Sequence, residues 1–141
     1  MDPRQHVDRP KDDVPDDATI LRRVPDHLYE DDGSGRPKPG AFTNLGKGMS
    51  SEWERGDTTP EVCRGRAPTP ETHGVVELNV GAIRPIEAPK QTVEHTWSKR
   101  IHNHVDVFGD KDLRAQTALV EMSAERIAAP NKAALLSSKK P

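Results

Sequence analysis

Apolar and polar residues alternate most cleanly over residues 104–108, where Val105 and Val107 take one side of an extended chain and His104 and Asp106 the other. The same period of two runs through residues 75–80, with Val76, Leu78 and Val80 on one face against Val75, Glu77 and Asn79. It returns over residues 91–97, where Val93, His95 and Trp97 oppose Thr92, Glu94 and Thr96. A shorter β-prone run, residues 19–24, is stopped by Pro25, and residues 41–43 suggest a brief strand. After Asp110 the period changes: Leu113, Thr117, Val120, Ala124 and Ile127 recur at three- and four-residue steps. That predicts a helix over 111–128, capped by Asp110 and closed before Pro130. Thr58-Thr59-Pro60-Glu61 is a helix-start signature in which a threonine caps, Pro60 fits the first turn and Glu61 can bond back to Thr58 in a capping box, and DDGSGRPKPG at 31–40 has the make-up of a loop.

These elements predict an α+β fold: a small antiparallel or mixed sheet of three to five strands, with one C-terminal amphipathic helix packed on it. The strands at 75–80, 92–97 and 104–108 are expected to pair with one another. Leu, Ile, Val and Phe make up only 26 of 141 residues, a share normally tied to disorder, yet the net charge is just -2. An ordered centre diluted by flexible ends reconciles the two. The expected division is a disordered acidic arm over 1–17, one domain over 18–129 and a disordered tail over 130–141.

Residues 1–32 hold ten acids against five bases, and the rest of the chain is faintly basic without clustered Lys or Arg, which argues against nucleic-acid binding. No apolar run reaches the length of a membrane span, and the acidic start does not resemble a signal peptide. Cys63 stands alone, so neither a disulfide framework nor a thiolate zinc cage is expected. A cytoplasmic protein without a membrane partner is the simplest expectation.

Residues 99–109 hold the candidate chemistry. On one strand, His102, His104 and Asp106 would share a face, where they could bind Zn²⁺ through nitrogen and oxygen or serve proton transfer, with His104 as base and Asp106 orienting it. The plain alternative is a polar strand entry in solvent. HxHxD resembles the first metal motif of metallo-β-lactamase-like hydrolases. That pattern requires a histidine where Val107 stands and further ligands downstream, so membership is rejected. Four other residues are binding candidates. Arg22 and Arg23 suit an anion or surface ion pairs, and Trp53 suits a partner surface or a small core. His95, between Val93 and Trp97, reads more readily as a buried, hydrogen-bonded imidazole.

The blocks ILRRVP from Ile20, PGAF from Pro39, Ser50, TPE from Thr59, HGVVEL from His73 and NHVDVFGDK from Asn103 resemble a set of small uncharacterised bacterial proteins. The resemblance spans about Ile20 to Leu119. It implies a bacterial cytosolic origin and no assigned activity. That set carries an asparagine three places before the histidine, where this chain has Ile101, with Asn103 adjoining His104 instead.

Two functions follow. The favoured one is a small accessory or protein-interaction module, acting with a protein partner or as a homo-oligomer and needing no cofactor. The alternative is a compact hydrolase or transferase built on His102, His104 and Asp106, metal-assisted if zinc binds there.

Overall fold

Alternation becomes strand pairing over a wider sheet than the sequence predicts. A computed structural model describes residues 11–87 and 89–129. Its strands are β1 (Thr19–Pro25), β2 (Gly48–Trp53), β3 (His73–Asn79), β4 (Thr92–His95), β5 (His104–Phe108) and β6 (Ala124–Ile127). They form one antiparallel sheet in the order β4-β5-β2-β1-β3-β6. Three short helices accompany it: α1 (Pro60–Gly65), α2 (Val80–Ile83) and α3 (Leu113–Met122).

The expectation of three to five strands with a C-terminal helix is therefore corrected to six strands, with the longest helix inserted before the last of them. The missing centre was β2, whose sequence GMSSEW carries too few apolar residues to announce a strand. Because β2 and β1 lie between them, β5 and β3 do not pair; β5 pairs β4 and β2, and β3 pairs β1 and β6. Residues 41–43 contribute to a 3-10 turn (Pro39–Ala41) and its exit rather than to a strand.

The helix over 111–128 stops at Met122. Asp112, not Asp110, caps it by accepting from the Ala115 amide at 2.9 Å. Its buried side chains are Ala115, Leu119 and Val120, while Thr117 and Leu113 are exposed, so of the predicted stripe within the helix only Val120 packs. Ala124 and Ile127 instead join the open edge of β3, opposite Glu77 and Val75. Edge pairing satisfies backbone groups that a longer helix would leave open along β3.

One face of the sheet carries Ile20, Val24, Met49, Trp53, Val76, Leu78, Val93, Val105 and Val107 in a single core cluster. Leu119 and Val120 of α3, Phe42, and Val80 and Ile83 of α2 cover it. The other face is covered only in part. There Cys63 of α1 packs on Leu21 and Val75, and no helix among the described residues covers the polar side of β2, β5 and β4. Of the predicted acidic arm, residues 11–17 lie against this body, with Val14 only 4% exposed; residues 1–10 and the predicted tail, 130–141, lie outside the described residues. No helix among the described residues is long and apolar enough to cross a membrane.

Leu119→Ala empties a fully enclosed site in the larger core and should lower unfolding free energy by about 2–5 kcal/mol, whereas Leu113→Ala should stay within about 0.5 kcal/mol. Urea denaturation of both variants checks this; equal losses would mean that α3 packs through the face the sequence predicted.

Candidate functional site

Pairing between β1 and β2 is registered only at Ile20 with Trp53 and Leu21 with Glu52, and beyond that the strands separate. A guanidinium fills the opening. Arg22 donates from Nη1 to the Ser50 carbonyl at 2.6 Å and from Nε to the Ala41 carbonyl at 3.1 Å. Burial, then the charge of Arg23, lowers its pKa to about 10, still far above neutrality. Over the separation lies a cleft of about 240 Å³, lined among others by Arg22, Arg23, Ser50, Glu52, Cys63 and His104.

Register explains that gathering. On the half-covered face Glu52 sits opposite His104, and Ser50 opposite Asp106. Glu52 is held from both sides: Arg23 Nη1 donates to Oε2 at 2.7 Å, and Arg66, just past α1, donates to Oε1. Its side chain is only 3% exposed. Arg23 Nη1 also reaches the Cys63 carbonyl at 3.1 Å, which ties α1 to the strands. Burial and the neighbouring Glu52 push the Cys63 thiol up to about 12, so at neutral pH it is a packed thiol and not a nucleophile.

His104 has a hydroxyl at each ring nitrogen. Ser50 Oγ lies 3.3 Å from Nε2, and Thr96 Oγ1 lies 2.7 Å from Nδ1. Asp106 Oδ2 is 3.8 Å from Nδ1, too far for a hydrogen bond. Thr96 can place its own proton on the His104 carbonyl, 3.4 Å away. Oγ1 then accepts from Nδ1–H, a proton position that Asp106 also favours, and the Nε2 lone pair faces the Ser50 hydroxyl. Asn103 anchors the entry to β5 by donating to the Arg55 carbonyl at 3.0 Å and to Thr58 Oγ1 at 2.9 Å.

The other candidates are placed differently. His102 precedes β5, so it does not share a strand face with His104; it stacks on Trp97 with ring centroids 5.0 Å apart. Among the described residues no group of three His, Cys, Asp or Glu is placed to hold a metal ion, so His102, His104 and Asp106 are not brought together as one ligand set. His95 is buried with both nitrogens engaged: Nδ1 accepts from the Asp12 amide at 3.0 Å, and Nε2 donates to the His102 carbonyl at 2.7 Å. Trp53 is buried in the larger core, with the Arg55 guanidinium 3.6 Å from its ring centre. Arg22 and Arg23 reach the same cleft from opposite sides of β1.

Ser50, Thr96, Glu52 and Arg66 are the residues that sequence patterning missed. Ser50 figured only within the resemblance. Their partners lie 54, 8, 29 and 14 residues away, so apart from Thr96 they have no short-range signature. No family model, curated protein or solved structure matches the chain.

Glu52→Gln removes the carboxylate that two guanidinium groups share and should cost about 3–5 kcal/mol, the range for breaking a buried ion pair from one side. Chemical denaturation reads it, and a loss below about 1 kcal/mol would mean that solvent already screens the clamp. A second expectation concerns Lys111, whose Nζ donates to the Val107 and Gly109 carbonyls at 3.0 and 2.6 Å. Burial, then the Arg22 charge, lowers its pKa from 10.5 to about 8. Between those values the unfolded chain holds a proton that the folded chain has released, so this group makes stability rise with pH across that window. Lys111→Gln should flatten the rise in thermal melts; an unchanged slope would assign it to another group.

Proposed function

We propose that the chain is a compact serine-dependent hydrolase or acyl transferase, with Ser50 as nucleophile and His104 as general base. The observation that carries this is the 3.3 Å approach of His104 Nε2 to Ser50 Oγ inside a cleft. It falls just beyond the usual catalytic reach, which commonly tightens when substrate binds. Ser50 Oγ attacks an acyl carbon as its proton passes to Nε2. His104 then returns that proton to the leaving group, and a water or an acceptor hydroxyl releases the acyl group by the reverse path. Thr96 and Asp106 orient the imidazole from its Nδ1 side. A cleft of about 240 Å³ suits the reacting end of a small substrate.

The test is labelling with a fluorophosphonate probe, followed by turnover of a short-chain activated ester. Wild type should label at Ser50, and Ser50→Ala and His104→Ala should each lower turnover by about 10³-fold or more. Thr96→Val, which keeps the shape but removes the hydroxyl, should cost about ten-fold through disorder of the ring. Labelling that persists in Ser50→Ala, or its absence in wild type, would overturn the proposal. The accessory-module reading would then be favoured by the small apolar inventory and long polar loops.

A further inference from the structure

Arg23 spends only part of its guanidinium. Nη1 carries both of its hydrogen bonds, to Glu52 Oε2 at 2.7 Å and to the Cys63 carbonyl at 3.1 Å. Nε and Nη2 have no hydrogen-bond partner among the described residues. These two form the side-on edge of the fork, the arrangement that meets two oxygens of one carboxylate or phosphate. The side chain is 28% exposed and lines the cleft with Ser50 and His104. Holding Nη1 on a buried carboxylate fixes the plane of the group, so little rotamer freedom remains to be lost when an anion arrives.

The surrounding charge points the same way. Arg22 is bonded to backbone carbonyls and has no carboxylate partner among the described residues. Arg23 and Arg66 share the single carboxylate of Glu52. Asp106 is the cross-strand neighbour of Ser50 and approaches the Nδ1 side of His104 at 3.8 Å, and Glu94 is paired with Lys11 at 2.9 Å. Among the described residues the charged side chains that line the cleft are Arg22, Arg23 and Glu52, one positive charge in surplus, with Arg66 on Glu52 and Asp106 beside His104 balancing each other just outside it.

We infer that the cleft is an oxyanion-binding site in which the free Nε–Nη2 edge of Arg23 holds a carboxylate or phosphate group of the substrate beside Ser50. As a statement about substrate class this rests on the hydrolase or transferase reading; as a binding site it stands on Arg23 alone. The substrate is then an acyl compound bearing an anionic group close to the scissile bond. Neutral esters lack the contact that positions it.

The test uses the full chain carrying Ser50→Ala, so that binding is measured without turnover. Inorganic phosphate and acetate are titrated separately against a sodium chloride control at equal ionic strength, following the Arg23 Nε–H resonance by NMR and heat by calorimetry. Saturable shifts at Arg23 with phosphate, acetate or both support the inference, and the tighter ion names the group. Arg23→Lys keeps a cation beside Glu52 but loses the fork, so it should weaken binding by about ten-fold or more while the melting temperature stays near the parent's. Arg66→Lys serves as the charge control and should change affinity by less than about three-fold. Saturation by neither ion, or equal affinity in Arg23→Lys, overturns the inference. Fluorophosphonate labelling of the otherwise wild-type chain separates the two failures. Labelling without anion binding removes only the anion site, and anion binding without labelling leaves the site while removing acyl transfer.

Discussion

The Arg22 guanidinium takes the place of a stretch of ladder between two central strands, and the cleft exists because it does. A sheet that parts at its middle exposes backbone carbonyls that would be costly to bury unpaired. Arg22 satisfies that of Ser50 on β2, bonds the Ala41 carbonyl of the 3-10 turn as well, and approaches that of Thr43 at 3.5 Å. Hydrogen bonds from a charged donor are stronger than neutral ones, which offsets part of the cost of burying a cation without a carboxylate. With the separation held open in this way, Arg23 and Ser50 line opposite sides of a gap rather than a closed ladder.

Glu52 closes the same region on the other face. It lies on β2, its partners Arg23 and Arg66 belong to β1 and to the exit of α1, and its cross-strand neighbour is His104 of β5. One carboxylate therefore fixes the positions of three elements around the cleft. An apolar residue there could supply packing, yet it would leave both guanidinium groups without a counter-charge. Charge is retained at this point because the groups it orients are themselves charged.

How much of this could be read beforehand depended on the range of the interaction. The alternation of His104 to Phe108 is local, and β5 forms where it predicts. The run at Thr19 to Val24 is likewise local and forms, and so is the helix start at Pro60, although Thr59, not the Thr58 of the expected capping box, accepts from the Val62 amide at 3.2 Å. β2 was hidden because its buried residues include Ser51 and Glu52, which a hydropathy pattern scores as surface. The last turns of the predicted helix were lost to a competing partner, the edge of β3, which lies some fifty residues earlier in the chain. The same limit applies to the site: His104 was legible as a candidate, but its partner Ser50 depends on the register of β2 against β5. His102 failed as a face-mate because the strand begins two residues after it.

His95 and His104 lie on neighbouring strands and differ in the face they occupy. His95 points into the covered side beside Val105 in register, and its nitrogens are taken by the Asp12 amide and the His102 carbonyl. Those partners are backbone groups. The amide fixes Nδ1 as an acceptor, so the ring holds one tautomer and has no lone pair to offer a substrate or metal. His104 points to the half-covered side, where its partners are the hydroxyls of Ser50 and Thr96. A hydroxyl can donate or accept, and either proton position on the ring can be accommodated without moving a strand. A fixed backbone partner makes His95 part of the framework, whereas the hydroxyls at both His104 nitrogens can exchange donor and acceptor roles while the sheet stays intact. The incomplete cover that α1 gives this face is what separates the two roles.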